Sequence, residues 1–321
     1  LSGELLQILP GVLVEGLLLG CVYAMIALGY SMVYGVLGLI NFAHSEIFMI
    51  GAVVGAEVLR HMTPLGLHPA LSLTTAVCTA GIVSALTAGT VERLAYRPLR
   101  RHGTVNRLVP LITAIGVSFL LQDLVRLIEG LWHNEFYLNY PSYPEIEKTI
   151  VLPFGAEIQI KALIVMAVAF IMMLSLTLLV KKTRMGKAIR AVAEDARTAS
   201  LMGVNPDAVI SRTFLIGGAL GGVAGVLFGV MFGQVNPFVG FVPGLKAFTA
   251  AVLGGIGSVP GAMLGGLLLG IIETIGGTYL PFLTNGAMGT EYTDIFAFLV
   301  LVLLLLFRPH GLLGRHVPEK V

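Results

Sequence analysis

Charge is what this chain has least of: only 12% of its 321 residues are Asp, Glu, Lys or Arg, against 56% hydrophobic, where a soluble domain carries about a quarter charged residues. With a mean hydropathy of +0.90, a water-soluble globular domain is excluded. The two cysteines, Cys21 and Cys78, both fall inside apolar runs, so no disulfide framework is implied. A net charge of +2 is too small to suggest nucleic acid. Gly186-Lys187 is followed by Ala188 and lacks the glycine-rich loop that cradles phosphates, so the chain cannot hydrolyse ATP by itself. There is no His-Glu-x-x-His pair and no serine with a hydrolase's strained elbow and companions. An intramembrane enzyme is therefore not expected, and neither are catalytic residues, a metal or a cofactor. No Lys or Arg precedes Arg60, so a cleavable secretion signal, which needs a basic start, is not expected either.

Long apolar runs are what the chain has instead. Stretches near the ~20 residues needed to span hydrocarbon extend over 12–34, 42–59, 70–94, 108–131, 162–180, 209–233, 262–279 and 295–307, with a shorter one at 247–255. They are continuously apolar rather than alternating, which identifies helices rather than barrel strands. The expected fold is an all-α polytopic membrane protein of about eight or nine transmembrane helices.

Most Lys and Arg residues fall in three clusters: Arg93, Arg97, Arg100, Arg101 and Arg107; Lys181 through Arg212; and Arg308, Arg315 and Lys320. Short basic loops stay in the cytoplasm, so all three are assigned there, the C-terminus included. The stretch 132–158 carries Glu135, Glu145, Glu147 and Glu157 against a lone Lys148, with Trp132, Tyr137, Tyr140 and Tyr143 as expected interfacial anchors. It is assigned outside. An external start with nine crossings closes the parity.

Two interruptions read as broken or re-entrant helices, near 35–46 (Gly35, Gly38, Asn41, His44, Ser45, Glu46) and near 245–261 (Gly254, Gly255, Gly257, Ser258, Pro260, Gly261). Unwound backbone at membrane depth is tolerated only where protein or a water-filled cavity satisfies it, and paired breaks point to internal repeats and a transport pathway. Ordinary tight turns at the membrane surface are the alternative. Asn41, His44 and Glu46 either line such a pathway or scaffold the broken helix. His44 and Glu46, two apart, point to different sides of a helix, which argues against a metal there. Among other ionisable residues in apolar runs, Asp123 and Arg126 are three apart and suited to pair internally, contact with substrate being the alternative, Glu57 and Arg60 lie near a helix end, and Glu15 and Glu273 have no evident local partner.

Gly217, Gly221, Gly225, Gly229 and Gly233 recur every fourth residue, a bare stripe against which another helix packs closely. Before it lies the polar segment 181–207. Its portion from Gly186 to Met202 reads as a short amphipathic helix, with Ile189, Val192, Ala196, Ala199 and Met202 on one face. Gly203 stops it, and Asn205-Pro206 starts the next. From residue chemistry alone, this helix either lies on lipid headgroups or inserts into a groove of a partner protein.

The stretches GYSMVYGVLGLINFAHSEIFMIGA (Gly29 to Ala52), ERLAYRPLR (Glu92 to Arg100), RMGKAIRAVAEDARTASLMGVNPDAVI (Arg184 to Ile210), NPFVGFVPGLKAFTAAVLGGIGSVPGAMLGGLLLG (Asn236 to Gly270) and RPHGLLGR (Arg308 to Arg315) closely resemble the LivH-type permease of bacterial high-affinity branched-chain amino-acid ABC importers. The likeness runs in order along essentially the whole chain. It implies one permease unit over 1–321 in a bacterial inner membrane, a LivM-type sister permease, two cytoplasmic ATPases and a periplasmic amino-acid-binding protein. It also implies that the polar segment docks on the ATPase, with Glu194, Asp195, Ala199 and Gly203 carried over. The general Glu-Ala-Ala pattern of such segments is not literally present, since Thr198 stands where its Glu would be. Cargo is expected to be leucine, isoleucine or valine. Related permeases for urea, short amides or other amino acids, and an ion-coupled secondary transporter, are the alternatives.

Overall fold

The structure, a computed structural model, describes residues 2–39, 41–101, 108–151, 157–287, 289, 292–308 and 311–314. Arg107, Arg315 and Lys320 of the basic clusters lie outside them. The helices are α1 (Ser2–Leu37), α2 (His44–Met62), α3 (Pro69–Val91), α4 (Arg97–Arg101), α5 (Leu108–Trp132), α6 (Ile160–Lys182), α7 (Arg184–Glu194), α8 (Ala196–Leu201), α9 (Pro206–Phe232), α10 (Phe241–Gly254), α11 (Val259–Leu283) and α12 (Thr293–Phe307). A π-helical turn, Glu92–Tyr96, joins α3 to α4. Among the described residues, strand content is confined to two small antiparallel pairs, β1 (Leu138–Asn139) with β4 (Gln234–Val235) and β2 (Thr149–Val151) with β3 (Glu157–Gln159).

Among the described residues, six helices are long and apolar enough to cross a membrane, and α10 and α12 are shorter apolar helices. The chain is an all-α, multi-pass membrane protein. Charge marks the two ends of the bundle. Arg97 and Arg100 meet Asp207 at one end, and Arg60 meets Glu135 at the other; these are called here the basic and acidic ends.

Tracing the chain between the ends shows an internal order. α1 runs to the basic end, α2 to the acidic end, α3 back and α5 out again; α9, α10, α11 and α12 repeat that order with every direction reversed. The packing respects the reversal. α1 lies antiparallel on α11, where Gly16 and Gly20 meet the backbone of Gly270 and Leu267, and α3 lies on α9, where Gly218 and Gly222 meet Ser84 and Ala80. These pairs exchange places when the halves are swapped. Small residues dominate both because burying apolar side chains gains nothing over lipid, so close backbone approach supplies the attraction.

The half-length members α2 and α10 are the broken helices. α2 begins inside the bundle, with His44 against Gly29 of α1 and Gly221 of α9. At about 1.5 Å per residue, Gly221 is about 22 Å from Pro206 and about 16 Å from Phe232 along α9. α10 also begins inside, since Gly240 and Gly244 lie against Ser45. It then runs to the basic end, where Leu253 and Gly254 accept backbone hydrogen bonds from Leu312 and Leu313 at 2.9 Å each. The second interruption thus precedes α10, at 233–240. The Gly255–Ser258 segment is a tight turn at the basic end, with Gly255 and Gly257 at φ +105° and +86°, which glycine alone adopts readily.

Candidate functional site

The N-termini of α2 and α10 converge at one polar locus in the middle of the bundle. Asn41, His44, Ser45 and Glu46 are all buried there. Glu46 Oε1 accepts from Ser118 of α5 at 3.1 Å and Ser45 at 3.4 Å. Asn41 Oδ1 accepts from the Tyr96 hydroxyl at 2.8 Å and the Ala43 amide at 3.1 Å, and the His44 ring stands edge-on to Tyr30, centroids 4.9 Å apart. Three of the four keep a buried polar atom without a partner among the described residues: Asn41 Nδ2, His44 Nε2 and Glu46 Oε2. Buried polar atoms are ordinarily satisfied, so three open ones at one locus are unusual. Glycine permits the convergence, because a Cβ at Gly240 would overlap the Ser45 carbonyl and Glu46 Oε2.

The glycine stripe of α9 faces this locus. A Cβ at Gly217 would meet Val33 and at Gly221 His44; at Gly225 it would overlap the backbone of Phe48 and Ala52, and at Gly229 the ring of Tyr140. Gly233 departs from the expectation: it caps α9 with φ +76° and has nothing within 4 Å, so its role is conformational, not packing. Tyr140 also differs from the surface anchor expected. It is buried, and its hydroxyl donates to the Ala52 carbonyl at 2.5 Å.

Elsewhere buried charge is met by opposite charge, although Arg100 Nη1 and Glu273 Oε2 also lack a hydrogen-bond partner among the described residues. Glu273, which had no local partner in sequence, accepts from Lys246 Nζ at 2.6 Å and the Tyr23 hydroxyl at 3.1 Å, while Lys246 also meets Asp294 at 2.6 Å. Lys246 was missed in sequence because it interrupts no periodicity; its only signal is being a lone cation in a small-residue apolar segment. At the basic end the π-turn rotates Glu92 and Tyr96 inward. Glu92 pairs with Arg100 at 2.6 Å and accepts from Ser211 at 2.6 Å. At the acidic end Glu57, Glu129 and His133 each place a ligand-type atom within 4.8 Å of the others. Arg60 stands 3.8 Å from Glu57 and His133 3.4 Å from Glu129, an arrangement that reads as an ion-pair network. Asp123 and Arg126 do not pair with each other. The Arg126 guanidinium lies instead 5.7 Å and 5.8 Å from the rings of Phe136 and Phe238.

The polar segment forms two helices rather than one. Asp195 breaks it: with φ −157° it ends α7 and caps α8, accepting from the amides of Arg197 at 2.8 Å and Thr198 at 3.2 Å and from the Thr198 hydroxyl at 2.6 Å. The Thr198 hydroxyl and amide, then the Arg197 amide, hold its carboxyl below the usual aspartate range. Ile189 and Val192 are buried as α7 packs on the bundle. Thr183 caps α7, and the Arg190 guanidinium donates to the Val180 carbonyl. Ala199 is buried, Glu194 and Ala196 are exposed, and Gly203 at φ +84° ends α8. Met202, expected on the apolar face with Ile189, is 80% exposed beside Leu201 at 82%. The turn at Asp195 takes the tip of α8 out of register with α7.

Over residues 12–305 the chain matches the family model described as the permease component of branched-chain amino-acid transport systems. It is similar to the high-affinity branched-chain amino-acid transport system permease protein LivH of Escherichia coli K12, with 44% identity over 316 residues covering 96% of both chains. It is equally similar to BraD of Pseudomonas aeruginosa, at 44% over 310 residues, covering 96% of this chain and 97% of that one. A probable LivH of Methanocaldococcus jannaschii is 27% identical over 317 residues, covering 96% of this chain and 92% of that one. No solved structure matches. A bundle of membrane-length helices, a polar junction of two half-helices and this end-to-end similarity agree: the chain belongs to the permease-component family of branched-chain amino-acid transport systems.

Proposed function

We propose that this chain forms half of the translocation pathway of an ATP-driven importer for leucine, isoleucine and valine in a bacterial inner membrane. Its basic end faces the cytoplasm, with the C-terminus there, and the acidic end faces outside. A sister permease of the LivM type supplies the other half of the pathway, two ATPases the drive and a periplasmic binding protein the cargo. The end-to-end similarity to LivH and BraD carries this reading.

The geometry supports a mechanism. α8 is the contact with the ATPase: Leu201 and Met202 offer an exposed apolar tip, while Glu194, Asp195, Ala199 and Gly203 set its shape. α7 is rooted on α1, α6 and α9, so displacement of α8 passes to the glycine-faced helix against which α2 is packed. Asn41, His44 and Glu46 line the pathway at the half-helix junction, where their open polar atoms offer passing contacts to an ammonium and a carboxylate. Weak contacts suit transport, because tight binding there would trap the cargo.

Reconstitution of the complex with its binding protein tests the proposal: uptake of labelled leucine, isoleucine or valine should require ATP, and urea should not compete. The chain alone, under an ion gradient, should accumulate nothing; accumulation would establish a secondary transporter instead. A bulky replacement, Ala199→Phe or Gly203→Val, should leave membrane insertion intact while uncoupling ATP turnover from uptake. Normal transport by both variants would remove α8 from the coupling role.

A further inference from the structure

α5 carries polar residues where lipid would not tolerate them. Ser118, Gln122 and Arg126 recur every fourth residue, about 6 Å per step, along one side of the helix. Ser118 at the inner end is bonded to Glu46. Arg126 at the outer end opens on a cavity of about 390 Å³ lined by Arg126, Phe136, Tyr137, Asn236 and Phe238. Arg126 and Asp123 are both exposed within a membrane-length helix, and neither makes an ion pair among the described residues. Ionisable groups so placed face a water-filled cavity or a partner rather than hydrocarbon.

The cavity is a built feature. Phe136 lies between α5 and β1, and Phe238 on the 233–240 connection beyond β4, so the guanidinium is held between two segments that the β1–β4 pairing joins. Asn236 accepts from the Phe238 amide at 2.8 Å, which fixes that connection and leaves its side-chain amide free to donate. The same connection leads to Gly240, at the half-helix junction. The cavity and the junction are thus linked twice, along α5 and along 236–240. Its volume falls within the range of small-molecule sites, about 300–1,000 Å³.

We infer that this cavity is an outer receiving site for a zwitterionic aliphatic amino acid, from which cargo descends past Gln122 and Ser118 to Glu46. Arg126 takes the carboxylate in the forked geometry guanidinium favours. Asp123, one helical turn away, takes the ammonium, and Phe136, Phe238 and Tyr137 cover the branched side chain. The inference rests on the proposed import function and adds the site at which this chain first meets its cargo.

The test uses the assembled complex with a diazirine-bearing leucine analogue, mapping cross-links by mass spectrometry. Adducts should fall in 134–140 and 234–240, and leucine should suppress them whereas isovalerate and isoamylamine, each lacking one charge, should not. Arg126→Ala should weaken labelling about tenfold, the loss of a charge-assisted hydrogen bond, with Arg126→Lys in between. Co-purification of the sister permease should be unchanged in both. Adducts elsewhere, or labelling indifferent to Arg126→Ala, would overturn the site. Loss of the sister permease from Arg126→Ala, without wild-type adducts at the cavity, would overturn it in favour of a subunit interface. If the wild-type complex labels at the cavity yet imports no leucine, the import reading fails separately.

Discussion

The half-helices α2 and α10 start from the same interior junction and run to opposite ends, yet they handle charge differently. α10 carries Lys246, whose charge is met by opposite charge: Glu273, Asp294 and Tyr23 surround it from three other helices, and of this group Glu273 Oε2 stays open. α2 opens with His44, Ser45 and Glu46, where Nε2 of His44 and Oε2 of Glu46 are buried and unanswered. A buried network of paired charges ties helices together, and removing one partner is costly because the other is stranded. Buried groups with no opposite charge beside them keep capacity for a visitor. On the proposed function, α10 serves as anchorage and α2 carries the traffic.

The largest effect should come from breaking the anchor. Lys246→Met strands Glu273, at a cost of about 3–5 kcal/mol, and should sharply reduce the folded protein recovered from membranes in size-exclusion profiles. Lys246→Met with Glu273→Leu should restore most of it. If the double variant is no better than the single, the pair is not the anchor.

Next is the α2 side, where Glu46→Gln should preserve folding yet lower ATP-dependent uptake about tenfold or more, as expected for a lost charged hydrogen-bond partner. A Glu46→Gln protein that unfolds like Lys246→Met would erase the distinction between the two half-helices. A smaller effect is expected where they touch. Gly240→Ala pushes a methyl group into Ser45 and Glu46, costing about 1–2 kcal/mol of overpacking, read as a lower melting temperature; an unshifted melting temperature would mean the junction is looser than drawn.

The smallest lies outside the bundle, in the cap of α8. The Asp195 carboxyl is held below its ordinary range in the folded state, so its contribution is fully present above the unfolded pKa. It fades as pH falls through the lowered folded value. Amide exchange at Thr198 should therefore lose protection on acidification well below neutral pH, and Asp195→Asn should blunt that response. Protection unchanged down to strongly acidic pH would show that the cap does not hold α8.

Each expected apolar run proved to be a helix, because membrane helices satisfy their own backbone and hydropathy reports them locally. The interruption before α2 was legible for the same reason, since Gly35, Gly38 and Asn41 break a run directly. The one before α10 was not. Residues 233–240 lie in the gap between the runs 209–233 and 247–255 and carry no cluster of glycines, whereas the glycines at 254–261 advertised a break that is only a tight turn. The α7–α8 division was hidden because Asp195 is compatible with a helix on propensity alone, and its capping bonds to Thr198 appear only once the backbone has turned.

The sequence by itself determined that this chain is a helical membrane protein, where its spans lie, which ends gather positive and negative charge, and which stripe of α9 is bare enough to be packed upon. All of these are local or periodic properties. Only the tertiary structure decided that Glu273 is answered by Lys246, that Arg126 turns from Asp123 to two phenylalanine rings, and that the two half-helices meet at Glu46. Such partnerships join residues far apart in the chain, and burial away from water, which no local pattern encodes, decides which polar groups find partners and which are left open.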